Sequence, residues 1–276
     1  MKLARGPWAF VKSPRNSMKL FIIAAILALV LFFSPSEALT AGFGQGAFSN
    51  LALLQSGSLT QPLIKTVGLA LDNRPYEPAT QLGVKIGLDI GVEAAIARVP
   101  DDFRDALTQA GFSGGSSLTI LPVARILVHK GIGERVDLGG SFMGYQGYRI
   151  LGADLKIALY NPTEGPTWAI RICYSSASLG IIDTKTWTPQ LLISRKMDYA
   201  DPYIGVGYQY VNGSVNLAIP VGPITVPYTS AATATAVTGF LGVGFVFPPL
   251  GLKLTLEGTA SNQGTNILGT KISFAI

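Results

Sequence analysis

The sequence has few of the residues on which enzymes and disulfide-stabilised proteins depend. It contains one cysteine and one histidine among 276 residues, and only 13% of its residues are charged. One cysteine excludes an internal disulfide framework, and one cysteine with one histidine cannot supply the usual number of metal ligands. After the N-terminus, no apolar run reaches the roughly 18 residues that a membrane-spanning helix requires. The mean hydropathy is nevertheless +0.39, so the hydrophobicity must be distributed over many short segments.

No segment has the pattern of a catalytic site. No serine lies in a recognisable nucleophile motif, and His129 falls at the predicted end of a strand. Asp101 and Asp102 lie in a predicted loop, where they favour the start of a short helix. The glycine-rich stretches "YIGVGYQY" and "GFLGVGF" lie inside strands and do not open helices, unlike phosphate-binding loops. We therefore expect no enzymatic activity, no catalytic residues, no metal and no cofactor.

The first 38 residues have the pattern of a secretory signal. Lys19 precedes an apolar run from Leu20 to Phe33, and Ser36-Glu37-Ala38 fits the small-x-small cleavage pattern. We expect cleavage after Ala38, with translation starting at either Met1 or Met18. The removed segment holds five basic residues and one acidic residue, which leaves 16 basic and 15 acidic residues in the mature chain. No basic patch interleaved with aromatic residues remains, so we expect no nucleic-acid partner.

The stretch "QLGVKIGLDIGVEAAI" introduces the pattern that dominates the mature chain. Every even position from Leu82 to Ile96 is apolar, whereas the odd positions carry glycine, alanine or a charge. Such strict alternation predicts a strand with two different faces. Segments of this design recur, and they predict ten strands, with eight to twelve as the range: 82–97, 118–129, 135–145, 149–160, 167–176, 184–195, 202–211, 235–247, 250–260 and 267–276.

Two environments produce this alternation, and the polar face distinguishes them. In a soluble sandwich the polar face meets water and carries many Lys, Glu, Thr and Ser residues. Here that face is mostly glycine, alanine and single charges, which suits a narrow lumen in which backbones crowd together. A membrane barrel places the apolar face against lipid and the polar face inside. The sequence therefore predicts an all-β, antiparallel, up-and-down transmembrane barrel over residues 81–276, with a secreted soluble β-protein as the remaining alternative.

The connections and the aromatic residues agree with a barrel. Short, turn-forming links follow the second, fourth, sixth and eighth strands, whereas longer links follow the first, fifth and seventh, as expected when both termini are periplasmic. Aromatic residues fall near the predicted strand ends, where the membrane interfaces would lie. These interfacial aromatic residues are Tyr145, Tyr160, Trp168, Tyr174, Trp187, Tyr203 and Phe247.

The final segment "NILGTKISFAI" resembles the closing strand of bacterial outer-membrane barrels. Alternating residues from Leu268 to Phe274 carry this resemblance, although the chain ends on Ile276 where such proteins usually end on an aromatic residue. The stretch "PLIKTVGLALDNRPYEPATQLG" is similar to the segment before the first strand in uncharacterised outer-membrane barrel families. The resemblance implies residence in the outer membrane, contact with its lipid bilayer, and recognition of the last strand by the barrel assembly machinery.

Residues 39–80 form a separate N-terminal segment. Their leucines and isoleucines are partly helical in spacing and are interrupted by Pro62. A plug inside the lumen, a periplasmic cap and a loosely ordered leader all fit this pattern. The charges predicted to face the lumen are nearly balanced in sign, which favours mutual ion pairs over a selective ion pore. They are Lys85, Asp89, Glu93, Arg125, Asp137, Asp154, Lys156, Arg171, Lys253, Glu257 and Lys271.

Three functions remain compatible with the sequence. The first is a narrow channel or transport-related barrel for a small or apolar solute, with residues 39–80 and the loop Ala218 to Pro227 as candidate gates. The second is a plugged structural or adhesive barrel whose external loops bind a partner. The third is a secreted soluble β-protein. No motif in the chain identifies a solute or a ligand.

Overall fold

The computed structural model describes residues 58–83, 87–112, 114–145, 147–162, 165–221, 224–247 and 251–275. The predicted signal segment 1–38 and residues 39–57 lie outside these ranges. Ten strands form the wall: β1 (Leu88–Arg98), β2 (Ile120–Gly131), β3 (Val136–Tyr145), β4 (Tyr148–Tyr160), β5 (Pro166–Leu179), β6 (Ile182–Arg195), β7 (Ala200–Val221), β8 (Ile224–Phe247), β9 (Leu252–Ser261) and β10 (Ile267–Ala275). Two α-helices, α1 (Thr60–Ala70) and α2 (Asp101–Gln109), and a 3₁₀ turn at Gly115–Ser117 complete the described structure.

The ten strands pair in sequence order into a closed antiparallel barrel. Closure joins the first strand to the last, with Asp89 opposite Ala275 and Ala97 opposite Ile267. Closure leaves the sheet without a free first or last strand, which is how a barrel satisfies backbone groups inside a membrane. The predicted antiparallel up-and-down barrel of ten strands is confirmed.

The barrel has a turn end and a loop end. The turn end carries the start of β1, the last residues of β10, and the links after β2, β4, β6 and β8. The loop end carries the long β1–β2 connection with α2, and the β7–β8 hairpin. We predicted a long loop over residues 212–234, and this is wrong, because β7 and β8 continue to pair as far as Val221 and Ile224. The β5–β6 link is likewise a tight turn between Leu179 and Ile182, not the longer loop expected from its sequence.

The first predicted strand began six residues too early. β1 starts at Leu88, and both Gly83 and Gly87 have positive φ angles, +86° and +52° respectively. Residues other than glycine rarely adopt a positive φ angle. The chain therefore bends at these two glycines, even though the alternation of apolar residues continues through them. Lys85, predicted to face the lumen, lies outside the described residues.

The alternating pattern divides the wall into two surfaces. Along β5, for example, Ala169, Arg171 and Cys173 are buried, whereas Trp168 and Ile170 are exposed. The same alternation of buried and exposed residues runs through the other strands, because successive side chains point to opposite faces of a sheet. The outer surface is therefore mostly apolar, and the buried charges of the wall lie on its inner surface.

The N-terminal segment passes through the inside of the barrel. At the loop end, the Thr60 hydroxyl donates a hydrogen bond to Ser230. Lys65 on α1 pairs with Asp102 on α2. At the turn end, the Leu82 amide donates to the Asp137 carboxylate. The segment from α1 to Leu82 thus spans the lumen from one end to the other, and we call residues 60–83 the plug.

Both helices begin with residues suited to a first turn. Pro62, which the spacing predicts to interrupt the helical pattern, lies in the first turn of α1, where no backbone N–H is required for an intrahelical bond. Asp101 and Asp102 lie in the first turn of α2, where acidic residues favour the helix dipole. The hydrogen bond and the charge of Arg104 hold the pKa of the exposed Asp101 carboxyl below its usual range. Neither described helix is long and apolar enough to cross a bilayer.

Candidate functional site: the filled lumen

Ten of the eleven residues predicted to face the lumen are described, and all ten are buried. They come from seven strands, and five are basic while five are acidic. A buried charge is costly unless a partner or hydrogen bonds compensate it, so the contacts around each charge determine whether the lumen is stable. The partners come from both the plug and the wall.

Glu77 of the plug lies at the centre of the ionic network. Its carboxylate oxygens lie 2.9 Å from the Lys271 Nζ, 3.3 Å from the Lys156 Nζ and 3.3 Å from the His129 Nδ1. These three partners belong to β10, β4 and β2, so one plug side chain links separate parts of the wall. All four side chains are buried, which leaves them dependent on one another.

The two lysines are also held by the wall and by plug carbonyl groups. The Lys271 Nζ lies 2.9 Å from Asp89 and donates to the Pro75 carbonyl at 3.4 Å. The Lys156 Nζ lies 3.0 Å from Asp137. It also donates to two plug carbonyls, those of residues 78 and 80, at 3.1 and 2.9 Å. Each ammonium group therefore has both a wall carboxylate and plug oxygens within reach.

A second group of polar contacts surrounds the start of the extended part of the plug. The Asp72 carboxylate accepts hydrogen bonds from Thr188 and Gln209, each at 2.7 Å. Asn73 donates to Asp154 at 3.2 Å and accepts from Ser141 at 2.7 Å. A side chain at Gly152 would overlap with Asn73, so this wall glycine makes room for the plug.

The last turn of α1 is capped from within the plug. The Arg74 guanidinium donates to the carbonyls of Leu69 and Ala70, at 2.7 and 3.2 Å. A basic group at a helix C-terminus satisfies carbonyl groups that lack an intrahelical partner, and it is favoured by the helix dipole. This contact fixes the turn between the helical and extended parts of the plug.

Near the loop end, the contacts between plug and wall are apolar. Leu63, Ile64 and Val67 of α1 are fully buried and belong to the same cluster as Val211 and Val215 of β7. A side chain at Gly68 would overlap with Val211, so the helix approaches the wall closely at that point. The filled lumen therefore has two zones, apolar towards the loop end and ionic towards the turn end.

Glu77, Asp89 and His129 have the geometry of three metal ligands. One potential ligand atom from each lies within 4.8 Å of the others, and all three residues are buried. However, the Lys271 Nζ lies 2.9 Å from both carboxylates and 3.4 Å from the His129 Nδ1. The lysine ammonium already balances the charge at this position, so the group suits that internal cation and not a divalent metal.

Arg171 and Glu257 occupy another part of the wall. The Arg171 Nε donates to Gln190 at 2.7 Å, and its Nη1 donates to the Glu77 backbone carbonyl at 3.2 Å. The guanidinium carbon also lies 5.6 Å from the centre of the Phe240 ring. Glu257 accepts a hydrogen bond from the Tyr203 hydroxyl at 2.7 Å.

This last contact corrects one of our predicted interfacial aromatic residues. Tyr203 is only 4% exposed and faces the lumen, because odd-numbered residues of β7 point inward. Five others, Tyr160, Trp168, Tyr174, Trp187 and Phe247, are exposed or half-exposed on the outer surface. Tyr145 is also exposed, at the loop end of β3, but its odd position places it on the lumen face of that strand, the face of Asp137 and Ser141. The rings of Tyr174 and Trp187 lie against each other there, with centroids 4.7 Å apart.

The lumen set that we predicted from alternation omitted the plug residues that organise it. Asp72, Asn73, Arg74 and Glu77 lie in the stretch "LDNRPYEP", which concentrates polar residues directly after an apolar helix. This concentration of polar residues does not suit a helical segment that covers the barrel from the periplasm. It was the sequence signal that could have placed these residues in the lumen. His129 was also missed, although its odd position in β2 places it on the same face as Arg125.

Comparisons with protein-family models and with curated proteins find no match to the chain. Among solved structures, the outer membrane protease OmpT from Escherichia coli is 12% identical with a TM-score of 0.36, and the match covers 67% of this chain and 93% of OmpT. Omp33 of Acinetobacter baumannii is 5% identical with a TM-score of 0.31, covering 68% and 97%. The N-terminal barrel domain of Pseudomonas aeruginosa OprF is 11% identical with a TM-score of 0.28, covering 67% and 96%. These likenesses are too distant to transfer a function.

The structure of the chain itself supports its assignment to a membrane. A closed wall with an even number of antiparallel strands, an apolar outer surface and a charged interior fits lipid outside and polar groups inside. A soluble sandwich would have buried the isoleucines and leucines that are exposed here. The protein has the architecture of a small bacterial outer-membrane β-barrel, with a lumen filled by its own N-terminal segment.

Proposed function

We propose that this protein is a gated channel of the outer membrane, in which the plug is the gate. The observation that carries this proposal is that the plug fills the lumen but takes no part in the hydrogen-bonded wall. It is held by side-chain contacts centred on Glu77, while the ten strands close without it. Its release would leave an intact barrel.

The wall behind the plug supports this interpretation. The described wall carries five basic and six acidic residues on its lumen face, the sixth acidic residue being Asp201, so a path opened by release of the plug would be polar. Balanced charge disfavours strong selection by the sign of an ion, which more naturally requires rings of one sign. We therefore expect passage of small solutes with weak preference between cations and anions. The apolar zone near the loop end would also accommodate an apolar part of a solute.

Deletion of residues 60–82 tests the gate. We expect the purified deletion variant to give steady conductance in planar bilayers, whereas the full-length protein conducts rarely. Heat-dependent mobility in detergent gels provides the folding control, because a closed barrel migrates differently before and after boiling. A folded deletion variant that conducts no more than the full-length protein would refute the gated-channel proposal.

The only cysteine of the chain supplies a second measurement that needs no deletion. Cys173 is fully buried on the lumen face of β5. We expect slow labelling by a water-soluble maleimide in the full-length protein, and fast labelling whenever the plug leaves. Labelling that is already fast in the full-length protein would mean that the lumen is open to water and that the plug does not seal it.

The second candidate function is a plugged barrel that binds a partner at the loop end. The specific observation in its favour is the β7–β8 hairpin, whose strands continue to pair beyond the points at which β6 and β9 stop pairing with them. This function requires no conductance from any variant, and loss of partner binding when residues 218–227 are removed. Conductance from the plug deletion would favour the channel.

We also propose that the barrel assembly machinery engages β10. This strand closes the barrel against β1, and its outward residues alternate with buried Lys271 and Ser273. Substitution of Phe274, the last aromatic residue of the chain, by alanine tests this proposal. We expect less heat-modifiable barrel in outer-membrane fractions, while refolding of the purified variant into detergent remains unchanged.

A further inference from the structure

The β7–β8 hairpin has one side that no other described strand covers. β8 begins at Ile224, but β9 pairs with it only from Thr238 onwards. On its other side, β8 pairs with β7 from Ile224 to Phe245 without a shift in register. Part of β8 near the loop end therefore presents its β9 side without a paired strand in the described structure.

The direction of the backbone groups on this side follows from Val237. The Val237 amide donates to the Asn262 Oδ1, and the Val237 carbonyl accepts from the Asn262 amide, directly after the end of β9. Backbone groups of successive residues point to opposite sides of a strand, and the pairing with β7 is regular, so other odd-numbered residues of β8 point the same way as Val237. We call the stretch from Thr229 to Thr235, on this side, the open edge.

The open edge lacks the features that usually prevent another strand from adding. Charged residues, prolines and bulges protect free edges in natural sheets. From Ile224 to Val237, β8 contains no charged residue, and its pairing with β7 contains no bulge. Pro227 lies nearer the hairpin tip, at an odd position, where its missing amide would face the uncovered side. Four amides can donate along the open edge, those of Thr229, Ala231, Thr233 and Thr235.

The plug begins beside the open edge. The Thr60 hydroxyl donates a hydrogen bond to Ser230. A cavity of about 380 Å³ lies between the first turns of α1, residues 233–235 of β8, and Gln263 in the β9–β10 turn. Because the plug runs from the loop end to the turn end, the residues that precede it leave the lumen at the loop end. They emerge next to this cavity and next to the open edge.

We propose that residues 39–57, which lie outside the described ranges, add to the open edge of β8 as a further strand. A row of alternating amides and carbonyls is complemented by another extended backbone. Residues 39–57 contain no charged residue and no proline, so each of their amides can donate and none brings a charge to an uncharged edge. The segment is also more than twice as long as the open edge, which leaves residues for the link to Ser58.

A segment of the same chain is favoured over a separate partner. Residues 39–57 are joined to the plug beside the open edge, so their effective concentration there is about millimolar. A second copy in the same membrane would have the same orientation, and its β8 could not pair antiparallel with this one. The added strand would fasten the outer end of the plug to the wall.

Hydrogen exchange at single amides tests the inference. It compares the chain without the predicted signal, residues 39–276, with a variant that also lacks residues 39–57. We expect the four open-edge amides to exchange slowly in the longer chain and about tenfold faster or more in the variant, because each loses a hydrogen bond. The amides of Ser230, Ala232 and Ala234 point towards β7 and are the internal control, which should not change.

Thr233→Pro provides a second test that keeps residues 39–57. It removes one amide from the open edge and none from the pairing with β7, as Pro227 already does nearer the tip. In the longer chain, exchange at Ala231 and Thr235 should become faster, whereas in the variant without residues 39–57 it should not change. Thr233→Val keeps the amide and is the matched control. Heat-dependent gel mobility confirms the fold of each variant.

Two results would overturn the inference. If the four amides exchange rapidly in the longer chain, nothing covers the open edge. If they exchange slowly both with and without residues 39–57, another occupant such as a second copy covers it. Neither result decides the gated-channel proposal, because the plug is present in both chains and the open edge lies outside the lumen.

Discussion

Glu77→Gln is the most informative single substitution, because Glu77 is the plug residue with the most ionic contacts to the wall. It removes the negative charge that faces Lys271, Lys156 and His129 at 2.9, 3.3 and 3.3 Å, and it changes the size of the side chain very little. If the plug is a gate, this substitution destabilises only the closed state. In the open state, water can solvate the two lysines.

The size of the effect follows from what remains around the lysines. Removing one partner of a buried ion pair typically costs about 3–5 kcal/mol. Here Lys156 keeps Asp137 and Lys271 keeps Asp89, and the glutamine carbonyl can still accept a hydrogen bond. The lower end, about 3 kcal/mol, is therefore the appropriate value, and it corresponds to a rise of about 100-fold in the ratio of open to closed barrels.

Two assays measure this rise independently. Single-channel recording in planar bilayers gives the open probability, and maleimide labelling of Cys173 gives the rate at which the lumen becomes accessible. When opening and closing are fast relative to labelling, the labelling rate follows the open population, so we expect both readouts to rise by a similar factor. Glu134→Gln, the same change at an exposed turn residue, should alter neither. If Cys173 in the Glu77→Gln variant is labelled at a rate within twofold of the unsubstituted protein, and the variant has normal heat-dependent mobility, then Glu77 does not hold the plug in the closed state.

Three further predictions test other parts of the structure. Gly68→Ala should loosen the plug and speed Cys173 labelling, because its new methyl group overlaps with Val211, and the added substitution Val211→Ala should restore slow labelling; absence of rescue would contradict the close approach. Leu241→Arg, at an outward residue that is 65% exposed, should cost about 2–4 kcal/mol of unfolding free energy in lipid vesicles if it lies at the bilayer midplane. Ile224→Arg, 61% exposed at the hairpin tip, should cost little, and equal costs would contradict a membrane boundary between them. Removal of residues 218–227 should leave heat-dependent mobility unchanged, whereas loss of the folded band would mean that the hairpin supports the barrel.

The wall of the barrel was predictable because alternation is a local signal. Each strand carries its own two-residue period, so residues such as Asp154 and Lys156 could be assigned to the inner face without knowledge of their partners. Closure followed from the number of strands and the need to pair the first with the last. Strand ends were less predictable, since β1 begins only after Gly87, whose backbone conformation breaks the strand while the apolar pattern continues through it.

The partners of the inward charges were not predictable from alternation. Lys271 contacts Asp89 across the β1–β10 pairing that closes the barrel, and this contact could be expected from the pairing of the first strand with the last. Its contact with Glu77, however, joins residues that are 194 positions apart in the sequence. Tyr203 illustrates the opposite error. Aromatic residues near strand ends suggest a membrane interface, yet the parity of β7 places this ring inside, where its hydroxyl meets Glu257. Strand parity was the stronger signal.

The plug also imposes an order of events on biogenesis. It lies inside a ring that is sealed by the pairing of β1 with β10, and it continues into β1 after only a few residues. A segment enclosed in this way cannot enter the lumen between two strands once β1 and β10 have paired. Either the ring forms around the segment or the segment threads lengthwise through a finished ring, and the direct continuity with β1 favours the first route. On that route the protein would enter the membrane with its lumen already filled by the plug, so insertion would open no leak.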